Sequence, residues 1–181
     1  MKVILHIVKY EQLSDLNIPY QHLKVTGINA DTLANFEESA EWQRISRRHL
    51  QKHPFCIACG HKAHNGKLVV HHKLPFDLCI TVGRIDLLLD DRNLMTLCTG
   101  AGSEEHHLLL GHLNDWASYN PEAFTDARTT FFQKTKAFIC SNETWKHKIA
   151  RRPKHLKDLN EAEIVALREK LDMVYPQKII I

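Results

Sequence analysis

The sequence predicts an α+β protein: a short strand pair closed against a helix, with further helices packed around it. Three observations predict it. Two short segments, 67–71 and 94–97, carry the β-branched and apolar residues of strands. Stretches with apolar residues three and four apart lie on either side of them, the pattern of amphipathic helices. A Cys-x-x-Cys pair stands before the first strand, and a third Cys follows the second directly. The 181 residues suffice for one packed core. A content of 44% hydrophobic and 25% charged residues, with only 7 Gly and 6 Pro, excludes fibrous and low-complexity classes. No apolar run reaches the roughly 18 residues of a membrane span, and MKVILHIVKY lacks the pattern of a cleavable leader. A cytoplasmic protein without membrane contact is expected.

Residues 2–8 (KVILHIV) are expected as a strand, and the next segment, to Ala30, has no clear period. Residues 1–35 are therefore set apart, with 36–121 as the core and 122–181 as a helical C-terminal extension. From Glu37 to Gln51 the pattern is helical. Trp42, Ile45 and His49 share one face, while Arg44, Arg47 and Arg48 fall largely elsewhere. His53-Pro54 stops this helix, since a residue before proline disfavours helical backbone. Phe55 to Gly60 then makes a tight turn holding Cys56 and Cys59.

About 22 residues separate the two strands, too many for a hairpin loop, and the Leu-rich stretch 87–89 implies that they pack as a unit. After Cys98, Ser103 is expected to cap a helix running to about Trp116, with Glu104 and Glu105 in its first turn. Helix is expected over 123–139 and again from Glu161 to Met173. There Asn160 and Glu163 form a capping box, and Ile164, Leu167 and Leu171 form the buried stripe.

Cysteine and histidine are the informative residues. Five Cys, only two of them closely spaced, argue against a secreted disulfide framework. The 13 His cluster near those Cys, and imidazole is both a common metal ligand and a base near neutral pH. Cys56, Cys59, Cys98 and His106 are four ligands of the kind that close a tetrahedral structural Zn2+ site. His64 is the reserve ligand, and Cys79 and Cys140 read as buried thiols. On an α-helix His106 and His107 lie about 100° apart, so one can face the zinc site while the other faces a groove. Charge is uneven: 41–73 holds seven Lys and Arg against Glu41, and 132–157 holds eight against Glu143. Two basic zones suit a polyanion such as nucleic acid, or are simply solvated helix faces.

The series Cys56–Cys59, Val69-Val70-His71-His72-Lys73-Leu74-Pro75, Asn93, Cys98 and His106-His107 resembles the HNH endonucleases of the ββα-metal fold, in their zinc-knuckle branch. The resemblance covers residues 41–120. It implies an endonuclease that hydrolyses DNA, with double-stranded DNA as partner. His72 would be the general base, and Asn93 would hold the loop that carries it. His71 and His107 would bind a catalytic Mg2+ or Mn2+. Lys73, Arg84, Arg44, Arg47 and Arg48 would contact phosphates.

Two features depart from the family pattern. His106 stands where a Cys is usual. Some relatives add a His four residues along the helix, where this chain has Gly111 with His112 one later. On an unbroken helix His112 points about 140° away from His107. It joins the ion only if Gly111 bends the helix, and otherwise makes a phosphate or structural contact; it is grouped here with the ligands. The alternatives are a zinc-stabilised nucleic-acid binding module without catalysis, and an RNA-cleaving toxin on the same fold.

Overall fold

The computed structural model describes residues 36–62, 67–116, 118–152 and 159–176. The strand expected at 2–8 and the reserve ligand His64 lie outside the described residues. Helix α1 (Ala40–Lys52) opens where the Ser39 hydroxyl accepts the Trp42 N–H, and closes at His53, whose backbone leaves the helical region before Pro54. Strand β1 (Lys67–His72) pairs antiparallel with β2 (Leu94–Thr99), setting His71 opposite Met95 and His72 opposite Leu94. The architecture is thus α+β, with a two-stranded sheet and helices around it.

The long connection between the strands packs as a unit. It forms helix α2 (Phe76–Thr81) and two 3-10 turns, Ile85–Leu88 and Asp91–Asn93, and it buries Cys79, Ile80, Ile85, Leu87 and Leu88 with Phe36. A second core cluster joins β2 to the helical segments C-terminal to it. Met95, Leu97, Leu109 and Leu110 pack with Ala123, Phe131, Ile139 and Trp145, so apolar packing runs unbroken past residue 121.

Helix α3 (His107–Gly111) is a single π-helical turn, much shorter than the helix expected from 104 to 116. Its start is displaced because Glu105 takes a positive φ while the Ser103 hydroxyl accepts the Glu105 N–H. Leu113 and Asn114, both at positive φ, end it. The helix expected over 123–139 is likewise interrupted: helical turns over 123–130 stop at Phe131, Gln133 has positive φ, and helix α4 (Lys136–Ser141) begins afresh. Helix α5 (Glu143–Ala150) comes next. Helix α6 (Glu161–Val174) has both hydrogen bonds of the Asn160–Glu163 capping box, and its Leu171, Ile164 and Leu167 pack on Leu78 and Val82. Among the described residues no helix is long and apolar enough to cross a membrane.

Candidate metal centres

Cys56, Cys59, Cys98 and His106 place one ligand atom each within 4.8 Å of one another, in a group that could hold a metal ion such as zinc. The turn makes the first half: Gly60 N–H donates to the Cys56 carbonyl at 2.8 Å with φ at +74°, wrapping the chain so that both thiols face inward. Strand β2 delivers Cys98. The His106 Nδ1 lies 3.6 Å from the Cys56 sulfur and 3.4 Å from the Cys98 sulfur. Zinc–sulfur bonds of about 2.3 Å and zinc–nitrogen bonds of about 2.0 Å at tetrahedral angles put N and S about 3.5 Å apart, so the spacing matches an ion at the centre.

Nε2 of His106 lies 3.2 Å from the Lys134 carbonyl, which can only accept, and this fixes Nδ1 as the ligand nitrogen. Burial lowers the His106 imidazole, but the Cys59 and Cys98 sulfurs outweigh it and lift the group to about 9. Hydrogen bonds from Cys56 and Cys59 hold the Cys98 thiol far below its ordinary value, as a thiolate suited to a cation.

A second cluster lies one residue along the chain. His71, His107 and His112 bring ring nitrogens within 4.8 Å of one another, with ring centroids 5.0–5.1 Å apart and all three pairs edge to face. The π-turn explains how His112 arrives there. An i→i+5 bond adds one residue to the turn, so residues five apart, about 140° from each other on an α-helix, return to one face.

Gly111 makes room for the third ring. A β-carbon there would sit 2.9 Å from His71 Cε1, too close for any side chain without moving the imidazole. The His112 Nδ1–H donates to the Ser118 carbonyl at 2.9 Å, leaving Nε2 as the lone-pair nitrogen. Burial, and then the neighbouring rings, push His71 well below its ordinary value; burial takes His107 down to about 3 and lowers His112. All three are therefore neutral near pH 7, the form that binds metal. Among the described residues no carboxylate joins them. Three imidazoles suit Zn2+ or Ni2+, whereas Mg2+ and Mn2+ favour oxygen ligands, so the donor set argues against the expected Mg2+ or Mn2+.

His72 is outside this cluster. Because β1 stays extended through it, its side chain takes the face opposite His71. Its ring stacks on Trp42 at 4.7 Å, and its Nε2 lies 2.8 Å from the Leu88 carbonyl. A carbonyl only accepts, so Nε2 carries the proton and Nδ1 the lone pair. Burial, partly offset by that hydrogen bond, takes the ring down to about 4.

Asn93 is fully buried beside it. Its side-chain oxygen accepts Leu74 N–H at 2.8 Å, and its NH2 donates to the Leu74 and Leu87 carbonyls at 3.2 and 3.0 Å. It thereby braces both the exit from β1 and the chain just before Leu88.

The cations divide. Arg44, Arg47 and Arg48 are exposed on α1. Arg84 is not a phosphate contact: it is 1% exposed and bonds Asp86 and Asp172 at 2.7–2.8 Å, tying α6 to the connection between the strands. The Lys73 ammonium donates to the Arg92 carbonyl and lies 4.2 Å from the Phe124 ring centre, so it too is already engaged. In the second basic block, Lys148 pairs with Glu122 and Asp126, Lys136 with Glu105, and Arg152 with the Leu113 carbonyl. Cys79 is buried as expected, but Cys140 is exposed. Trp116, expected only as the end of a helix, is 47% exposed and packs its ring 5.1 and 4.9 Å from those of His107 and His112.

Comparison with family models, with curated proteins and with solved structures finds no match.

Proposed function

We propose that the chain is a metal-dependent endonuclease of the HNH type, with β1, β2 and α3 as its ββα-metal core, hydrolysing DNA phosphodiester bonds. The observation that carries this reading is the convergence of three imidazoles, from the end of a strand and a π-turn, beside a separate histidine whose Nε2 lies 2.8 Å from a carbonyl. His71, His107 and His112 would hold a divalent transition ion, which supplies charge neutralisation on the phosphate oxygens and the leaving oxygen. His72 Nδ1, on the face of β1 opposite His71, is the base assigned to the attacking water, which it would reach at the end of the strand, where β1 gives way to the turn at 73–75. Its tie to Leu88, with Asn93 bonding Leu87 and Leu74, keeps the ring in one orientation. The water oxygen bonds phosphorus as the bond to the 3′ oxygen breaks; the 3′ oxygen leaves as an alkoxide and takes a proton from solvent, giving 5′-phosphate and 3′-hydroxyl ends. Cys56, Cys59, Cys98 and His106 hold a structural Zn2+, and exposed Arg44, Arg47 and Arg48 contact the backbone.

The test is cleavage of plasmid DNA and of structured RNA by His72→Ala. A general base typically contributes 10²–10⁴-fold, so plasmid cleavage should fall by at least about 100-fold, with ion content and DNA retention within about twofold of the parent. Cleavage unaffected by His72→Ala overturns the base assignment. A parent that retains DNA but cleaves nothing at any added ion favours the binding module, and cleavage of RNA alone favours the RNA-cleaving reading.

A further inference from the structure

Two of the three imidazole ligands belong to α3 and the residue after it, a single turn whose register decides whether they meet. In an ordinary α-turn His112 would stand about 140° from His107, and one isolated turn does not sustain itself. The last two residues of α3, Leu110 and Gly111, are held from outside it. The Asn120 side-chain NH2 donates to the Leu110 carbonyl at 2.8 Å, and the Asn120 backbone N–H donates to the Gly111 carbonyl at 3.0 Å. Carbonyls at a helix end otherwise lack partners. Asn120 is 2% exposed and every polar atom it has is engaged: its NH2 also donates to Asp126 Oδ2 at 2.8 Å, its side-chain oxygen accepts the Glu122 N–H, and its carbonyl accepts the Ala123 N–H.

Asp126 is fully buried, and its other oxygen accepts from the Lys148 ammonium of α5 at 2.6 Å. A buried carboxylate is tolerated when it is paired in this way, and the pairing leaves its second oxygen turned toward Asn120. A continuous line of hydrogen bonds therefore runs from α5 through Asp126 and Asn120 to the two carbonyls that directly precede His112. We infer that Asn120, oriented by the Asp126–Lys148 ion pair, is a positioning residue for the imidazole centre, locking the π register that brings His112 to the ion. This role rests on the divalent ion proposed at His71, His107 and His112. It draws residues C-terminal to 121 into the support of that centre.

The test is a cobalt titration of the ion-free full chain, read at the thiolate charge-transfer band and at the d–d bands of the ion that lacks it. In Asn120→Ala the thiolate-free ion should weaken at least about tenfold, the usual effect of removing a group that orients a ligand, while the thiolate band stays as in the parent. Lys148→Met, which keeps Asn120 but frees Asp126 to turn away, should weaken the same ion by about threefold or more, and Lys148→Arg should restore it to within about twofold. Ile139→Val lies in the same apolar cluster as the end of α3 and controls for lost stability alone; it should leave both ions unchanged. In the ion-free proteins, hydrogen exchange over 107–114 should quicken in Asn120→Ala and Lys148→Met but not in Ile139→Val. Equal affinity for the thiolate-free ion in the parent, Asn120→Ala and Lys148→Met overturns this role alone, as does an equal loss in Ile139→Val. A parent that binds only the thiolate-held ion overturns the imidazole centre and this role with it.

Discussion

The Cys56–Cys59–Cys98–His106 and His71–His107–His112 clusters meet at one peptide bond, between His106 and His107, yet they are built to opposite ends. In the first, Cys56, Cys98 and His106 are buried, and the spare nitrogen of His106 is tied to the Lys134 carbonyl. Four donors leave an ion there no open position. In the second, His107 and His112 are half-buried, an exposed Trp116 walls one side, and three donors leave room for another ligand. The difference arises from backbone. A tight turn with Gly60 closes the thiol cluster, whereas an inserted residue in a π-turn opens the imidazole cluster by bringing His112 beneath His107. Under the proposed function, one centre would hold the fold together and the other would exchange what it binds.

The comparison breaks most severely at the closed centre. Cys98→Ser should lower stability by more than about 3 kcal/mol, because structural zinc contributes on the order of 10 kcal/mol to folding of small metal-clipped domains. Thermal unfolding with zinc analysis checks this, and an unchanged melting temperature with zinc lost would contradict it. Next is Asn93→Ala, which strands the Leu74 N–H and the Leu74 and Leu87 carbonyls in the interior. A cost of about 2–3 kcal/mol in denaturant unfolding is expected, with the closed ion retained.

Gly111→Ala sharpens the contrast. The added methyl displaces the His71 ring at a cost of about 1–3 kcal/mol. Competitive chelator titration should show the exchangeable ion weakened at least tenfold and the thiolate-bound ion untouched. The gentlest handle is pH in the ion-free protein. His72 and His107 sit at about 4 and about 3 when folded, below the ordinary histidine value. The unfolded chain therefore binds more protons just below pH 6.5. Stability should fall as pH drops from about 6.5 toward 4 and then 3, with a slope of at most about 1.4 kcal/mol per pH unit for each group. A flat profile over that window would show the rings to be solvated.

Legibility in the sequence ends where local contacts end. The Cys56–Cys59 turn, the two strands, α1 with its stop before Pro54, and the Asn160–Glu163 box all depend on residues a few positions apart. The features that escaped depend on packing between distant segments. Arg84 looks like a loop cation until Asp172, 88 residues later, is placed against it. The sequence names a bend at Gly111 as the condition for His112 to join the ion, but not its form: the π-turn goes with Gly111 lying against His71, forty residues earlier, and helical periodicity carries no sign of that contact. His49 reads as part of an apolar face, and only the fold sets Asp91 against it. The sequence names the three imidazoles; the fold adds that, among the described residues, no carboxylate joins them, and that absence of oxygen donors is what turns the expected hard ion into a borderline one.

The most direct measurement is a cobalt titration of the ion-free chain beside its His112→Ala variant. The thiolate-to-cobalt charge-transfer band should saturate at one equivalent with equal intensity in both. The variant should lose at least about tenfold in affinity for a second ion that gives no such band. A thiolate band that weakens in His112→Ala, or a second ion bound equally well by both proteins, would contradict two independent centres.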